Sequence, residues 1–508
     1  MGIGSAARAI AGAIVALALA APASAQAQIP QLITGPYVSG WFGYWEPDAD
    51  VERLATQGGG VVPEASIFWA KFSSSDRPLC AYEQSGACLA DGASPWISPA
   101  IDRQRQAMQD AGIRVFGSII DAGSARSLST YLSTKADRSA YAAQIVEWTA
   151  KAGFDGVDLD WEKFAFADGK DSWAATKPRW VAFIRVLAHR LHDRGLLLSA
   201  TVPAGSYPFL ANGDPNPGTG YWVYAWNEII DHVDRLRIMA YDYSYAMPGP
   251  IGPYPWAKKV TESAIQQVTA ANKRKLWLGV PQYSRNWVRQ DANGSYVTRN
   301  GCPQGWKPSG GGVPGMLSQS LDRALEIAAR EGIVPTWNGT YGEYTFTYWI
   351  DTAGTVEGTP VTCSAEREVW FEDTRGAKMK ADIVSDLNIG GLAVWEFGFV
   401  LDGFYSDMAR EIAPPLQLRA SFDSTIRLGQ SARVSGKVTR DSSAVTDARI
   451  RVTWISSAGK VKELGVTRTS ALGRYSLAVT PPRSGTLRVT ARSEGQHASV
   501  SKPITVRR

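Results

Sequence analysis

The run Phe154-Asp155-Gly156-Val157-Asp158-Leu159-Asp160-Trp161-Glu162 places carboxylates at every second position and interleaves them with Val157, Leu159 and Trp161. On a β-strand this spacing puts Asp158, Asp160 and Glu162 on one face and the apolar residues on the other. Like charges on one face repel, and burying them costs folding free energy unless they are paired or protonated. Chemistry accounts for the pattern better than stability does. Crowding raises the proton affinity of at least one member, which suits a carboxylic acid that must donate a proton near neutral pH. Asp155 has the opposite parity and is expected to cap or pair outside the site.

The run is one of eight short apolar stretches. The others are Val38 to Tyr44, Ala65 to Trp69, Arg114 to Ile119, Leu196 to Val202, Arg235 to Tyr241, Lys275 to Val280 and Gly391 to Phe397. Segments such as Ser139 to Ala152 and Lys177 to Arg194 carry the 3.6-residue apolar period of amphipathic helices. Eight strands alternating with helices predict an α/β fold, a (β/α)8 TIM barrel, with a doubly wound open sheet as the competing topology. In such a barrel the C-terminal strand ends face the active site, where Glu162 falls. The 107 residues from Ser284 to Gly390 are too many for a plain connection, and predict a small α+β insertion between strands 7 and 8. A helical pattern covers Leu317 to Glu331, with strand-like runs at Tyr344 to Ile350 and Glu368 to Phe371.

Ala413-Pro414-Pro415 closes this unit, taken as residues 30–413. Beyond it, alternating runs such as Arg449 to Trp454 and Thr486 to Thr490 predict a β-sandwich (Ig-like) module over residues 416–508. That module has 13 Arg and 4 Lys against 3 Asp and 2 Glu, a net of +12, while the whole chain carries only +5. An anionic cell-wall polymer is the expected partner of so basic a module, against the plainer reading of a solvated Arg-rich surface. Only Trp454 of the 19 tryptophans lies there, too few for an aromatic sugar-binding platform. No nucleic acid partner is expected.

At the N-terminus, Arg8 precedes an apolar run from Ala9 to Ala21 and small residues in Ala23-Ser24-Ala25 and Ala25-Gln26-Ala27. This reads as a secretory signal peptide over residues 1–27. No later stretch has the ~18 uninterrupted apolar residues of a membrane span, so a secreted or wall-associated protein is expected. The four cysteines suit export. They allow three pairings, of which proximity favours Cys80 with Cys88, leaving Cys302 with Cys363. With no CxxC pair and four histidines, neither metal nor cofactor is expected.

The stretch Asp155-Gly156-Val157-Asp158-Leu159-Asp160-Trp161-Glu162 resembles, without a gap, the DGxDxDxE signature of glycoside hydrolase family 18, which includes chitinases and N-acetylglucosaminidases. Further matches fall in barrel order: Tyr44, Met239-Ala240-Tyr241-Asp242, Leu278-Gly279-Val280-Pro281 and Trp395. The resemblance covers about residues 38–405. Leu276 to Trp287 and Glu368 to Phe397 look more like the spore-germination-type, wall-lytic branch than the large chitin-degrading enzymes.

The resemblance implies a substrate-assisted retaining mechanism on a polysaccharide containing N-acetylglucosamine. Glu162 would be the acid/base. Asp160 would orient the substrate's acetamido N–H, and Asp158 would share a proton with Asp160. Tyr241 and Asp242 would contact the acetamido group, with Trp395 as the apolar floor. Tyr44, Met239, Ser118 and Tyr283 complete the expected substrate-binding set. Two departures stand out: Ser118-Ile119-Ile120-Asp121 keeps the serine of the family's SxGG but replaces both glycines, and Ser284 follows Tyr283 where glycine is common. A lectin-like binder or a wall interaction protein are the alternatives, and retention of Glu162 argues against the first.

Overall fold

The computed structural model describes residues 37–507 except 59–60, 84, 91–95, 206–219, 300, 311, 413–415, 441–442 and 494–495. The expected signal peptide and the Ala413-Pro414-Pro415 break lie outside the described residues. Eight strands form a closed parallel barrel: β1 (Tyr37–Phe42), β2 (Glu64–Phe72), β3 (Arg114–Asp121), β4 (Gly156–Asp160), β5 (Leu197–Pro203), β6 (Arg235–Met239), β7 (Leu276–Pro281) and β8 (Gly391–Trp395). Each pairs with its sequence neighbour, and β8 pairs with β1 to close the ring. The open-sheet alternative is thereby excluded.

The helices follow the sequence signals. Lys135–Ala152 starts on Thr134, whose hydroxyl caps Asp137 N, and ends at Gly153 with φ 75°, the left-handed conformation glycine tolerates. Helix Trp173–His192 buries Trp180, Phe183, Ile184 and Leu187 against the barrel. These join Val157, Leu159 and Trp161 in one core cluster. Close packing also fixes two glycines: a Cβ on Gly156 would lie 2.5 Å from Leu197 O, and one on Gly279 2.5 Å from Ile238 O.

Between β7 and β8 the chain forms a six-stranded sheet built on Tyr283–Val288, Glu343–Val356 and Thr359–Phe371. The helical pattern expected from Leu317 begins only at Leu321. Leu317–Ser320 instead pairs with Tyr283–Asn286 as a strand, and Ser320 caps the helix Leu321–Arg330. Glu343 ties this region to the barrel, its carboxylate accepting from Ile251 N and Gly252 N at 2.7 Å. Two disulfides, Cys80–Cys88 and Cys302–Cys363, match the favoured pairing.

After residue 415 come a four-stranded and a five-stranded sheet. Alternation along the strands sends Val434, Val438, Ile450, Val452, Trp454, Leu487 and Val489 into a hydrophobic cluster separate from that of the barrel. Among the described residues no helix is long and apolar enough to cross a membrane.

Candidate active site

Alternation on β4 works as expected as far as Asp160, with Asp158 and Asp160 facing the barrel interior and both buried. The strand ends there. Glu162, expected as its last member, lies in the connection beyond. The cause is local: Asp121, at the end of β3, takes the Glu162 and Lys163 amides on its two carboxyl oxygens at 3.0 and 2.8 Å. Tyr224 donates its hydroxyl to Trp161 O at 2.5 Å, so this stretch has exchanged ladder bonds for side-chain ones. Tyr44 and Tyr241 likewise follow their strands rather than lying in them.

The acids have unequal surroundings. Asp158 Oδ2 accepts from Trp41 Nε1 at 2.8 Å and Ser118 Oγ at 3.0 Å, and Oδ1 from Thr201 Oγ1 at 2.9 Å. Buried Arg237 stands 3.7 Å away and 3.6 Å from Glu64, which Arg235 also pairs at 2.7 Å. Three donors and a cation make Asp158 an acceptor, the role of a carboxylate. Asp160 Oδ1 has no hydrogen-bond partner. Burial, followed by the charges of Glu162, Asp158 and Asp121, pushes the Asp160 carboxyl well above its ordinary range. Burial and the neighbouring charges thus favour the protonated form of Asp160. Glu162 is half-buried, and burial, then the charge of Asp242, raises it to about 7. Such a group can both give and take a proton under ordinary conditions.

Beyond β6, Asp242 adopts φ 57°, and its carboxylate binds Arg285 at 2.6 Å and the Tyr283 hydroxyl at 2.6 Å. Tyr241 stands edge-on to Tyr283 with ring centres 6.2 Å apart. Burial, then Asp160, pushes its hydroxyl well above the ordinary value, so the phenol remains a donor. Met239 is buried at the end of β6. Trp395 ends β8, half-buried, against Phe68 at 5.3 Å and Trp41 at 6.2 Å. Tyr44 stacks on Tyr82 at 4.5 Å and packs into the same aromatic cluster as Trp395. Exposed aromatic rings, Trp45 after β1, Phe166 after β4, and Tyr243 and Tyr245 after β6, line the C-terminal end of the barrel.

Asp158, Asp160, Glu162, Ser118, Tyr241, Asp242, Tyr283 and Trp395 thus surround one mouth. Sequence reasoning missed Trp41, Thr201, Arg237, Arg285 and Asp121. Parity on β1, where Tyr37, Ser39 and Trp41 share a face, was the available signal for Trp41. Asp121 stood in plain view as a departure from SxGG. Asp155 lies apart, accepting from Val115 N and Gln109 Nε2 at 2.8 Å. Among the described residues no cluster of His, Cys, Asp or Glu has the arrangement of a metal site.

Comparison with known proteins agrees with this geometry. Residues 97–399 match the model of Glycosyl hydrolases family 18. Chitotriosidase-1 of Mus musculus is 26% identical over 307 residues, covering 56% of this chain and 57% of its own length. The cortical fragment-lytic enzyme of Bacillus subtilis is 22% identical over 258 residues, covering 50% and 49%. The chain spans about half the length of the curated relatives it matches. Among solved structures, a chitinase from Chromobacterium violaceum has a TM-score of 0.53 at 20% identity, covering 73% of this chain and 98% of that one. The spore cortex-lytic enzyme SleL of Bacillus cereus has a TM-score of 0.55 at 16% identity, covering 75% of each. Both share the fold.

Proposed function

Because the chain belongs to the glycosyl hydrolases of family 18, whose model spans residues 97–399, we propose that it is a secreted retaining glycosidase. It cleaves β-1,4 bonds in a polysaccharide containing N-acetylglucosamine, of the chitin or peptidoglycan type. The observation that carries this reading is the acid cluster at the end of β4: buried Asp160, whose Oδ1 has no hydrogen-bond partner, with Asp158 held by Trp41, Ser118 and Thr201 on one side and Glu162, raised to about 7, on the other.

The proposed reaction uses no enzyme nucleophile. Glu162 gives its proton to the leaving glycosidic oxygen as the substrate's acetamido oxygen attacks the anomeric carbon. Asp160 turns its free oxygen to the acetamido N–H, and Asp158, held by Trp41, Ser118 and Thr201, supports it with negative charge. Glu162, now ionised, removes a proton from the water that opens the oxazolinium-like ring. Tyr241 donates to the acetamido oxygen, Asp242 holds Arg285 and Tyr283 at the rim, and Trp395 is the floor under the reactive sugar.

In this reading residues 30–413 form the catalytic unit, with an insertion at about 284–390 that walls one side of the groove. Residues 416–508 form an Ig-like sandwich that attaches the enzyme to an anionic wall polymer. Export is supported by the N-terminal apolar run and the two disulfides. The test is product analysis by mass spectrometry after separate incubation with chitin oligosaccharides and purified peptidoglycan, for wild type and Glu162→Gln. Cleavage of at least one substrate, lost in the variant with its fold intact, is expected. Both substrates intact with wild type would favour a sugar binder instead.

A further inference from the structure

The basic C-terminal residues are not evenly distributed. The four-stranded sheet sets β9 (Gln417–Ser421) and β10 (Ala432–Arg440) side by side, and the later strand β11 (Arg474–Val479) against the other side of β10. Its register places Arg419 opposite Lys437 and Lys437 opposite Arg474. All three are exposed, while their neighbours Ala420, Val438 and Tyr475 point into the core, so the three cations share the solvent face. Adjacent strands lie about 4.8 Å apart, so the row spans roughly 10 Å. Like charges directly opposite one another on a sheet are destabilising.

Among the described residues no carboxylate pairs with any of the three. The contrast is with the five-stranded sheet, where Arg451 pairs with Glu463 at 3.0 Å and Arg468 with Asp447 at 2.7 Å. Two of the module's five acids thus serve one sheet, and among the described residues the row on the other has no counter-charge. The next row on the same face is Ser421, Ser435 and Ser476, again in direct register, and beyond it stands exposed Arg433 opposite Ala478. Cations, hydroxyls and another cation follow one another at about 6.6 Å along the strands.

We propose that this face docks a linear phosphodiester polymer that carries no bases. The inference rests on the reading that the basic module holds an anionic polymer, and it locates the surface. A planar carboxylate is filled by one guanidinium fork, whereas a phosphate, with oxygens out of plane, accepts from a fork and from hydroxyl donors of the next row together. The outward residues Gln417, Arg419, Ser421, Arg433, Ser435, Lys437, Thr439, Arg474, Ser476 and Ala478 include no aromatic ring on which a base could stack.

The experiment measures binding of fluorescein-labelled poly(glycerol phosphate) to the full chain by anisotropy at 50 and 200 mM salt. The variants are Arg419→Gln/Lys437→Gln/Arg474→Gln and, as control, Arg451→Gln/Arg468→Gln on the other sheet. The triple variant should bind at least tenfold more weakly, with a salt slope smaller by about 2, while the control stays within about twofold. Hydrolysis of soluble chitin oligosaccharides should be unchanged in both, which shows that the barrel remains folded, and an unchanged Trp454 environment in fluorescence of the full chain and an unchanged circular dichroism spectrum show the same of the module. Equal loss in control and triple variant would overturn the assignment to this face. Wild-type chain that fails to bind would sink the anionic-partner reading as well. Tighter binding to polygalacturonate or to an oligonucleotide would overturn the phosphodiester class.

Discussion

Replacing Asp121 by asparagine isolates the contact that carries Glu162 out of the strand. Both carboxyl oxygens are used, one on Glu162 N at 3.0 Å and one on Lys163 N at 2.8 Å. An amide has one acceptor, so one of the two backbone N–H groups would face an NH2 and lose its partner. A buried donor left unpaired costs about 1–3 kcal/mol, and that is the loss expected. At about 2–4 °C per kcal/mol this lowers the melting temperature by roughly 2–12 °C. The acid would be released from its position by a fraction of an ångström, which costs roughly ten- to a hundredfold in kcat. KM should change little, because Asp121 is buried with both carboxyl oxygens turned to backbone amides.

Asp155 supplies the matching control. Its Oδ2 accepts from Val115 N and Gln109 Nε2, each at 2.8 Å, on the far side of β4 from the acids. The single amide oxygen of Asp155→Asn can take both bonds, so this variant should lower the melting temperature less, with kcat within about twofold of wild type. Steady-state kinetics on chitin oligosaccharides and a thermal scan read both effects. If Asp121→Asn kept its rate, or if Asp155→Asn lost rate equally, the clamp on Glu162 would not be what positions the acid.

Other consequences follow from the same electrostatics. In the proposed reaction Glu162 acts in its protonated form, and burial, then Asp242, raises it to about 7, so kcat/KM should fall above pH 7. Asp242→Asn removes the second cause, so the alkaline limb should move to lower pH, and a limb that stayed put would deny the coupling. Asp121 and Glu372 at about 8 and Glu396 at about 9 are all raised chiefly by burial. Their folded values exceed the unfolded ones near 4, so the stability they contribute is full below about 4 and lost as pH rises through the folded values. The melting temperature should accordingly fall between pH 6.5 and 8.5, as a buffer series in a thermal scan would reveal.

The barrel and its acids were legible because both are periodic. Strand alternation is a property of neighbours in sequence, so Asp158 and Asp160 declare a face before any partner is known. What surrounds them is not local. Trp41 reaches Asp158 across 117 positions and Thr201 across 43; the parity of β1 gives the face of Trp41, but the spacing of neither residue names its partner. Arg237 is the clearest case. In sequence it is an arginine in an apolar strand, at odds with burial, and only the closed barrel explains it by setting Glu64 at 3.6 Å and Asp158 at 3.7 Å on its guanidinium. The acidic face and the buried arginine are thus two halves of one arrangement: a column from Glu64 through Arg237 to Asp158 in which charge is paired, topped by Asp160 and Glu162, where it is not. The carboxyl groups whose hold on a proton is raised are those beyond reach of Arg237. A reaction that consumes a proton at Glu162 therefore meets the acid at the end of the column where the fold leaves it unneutralised.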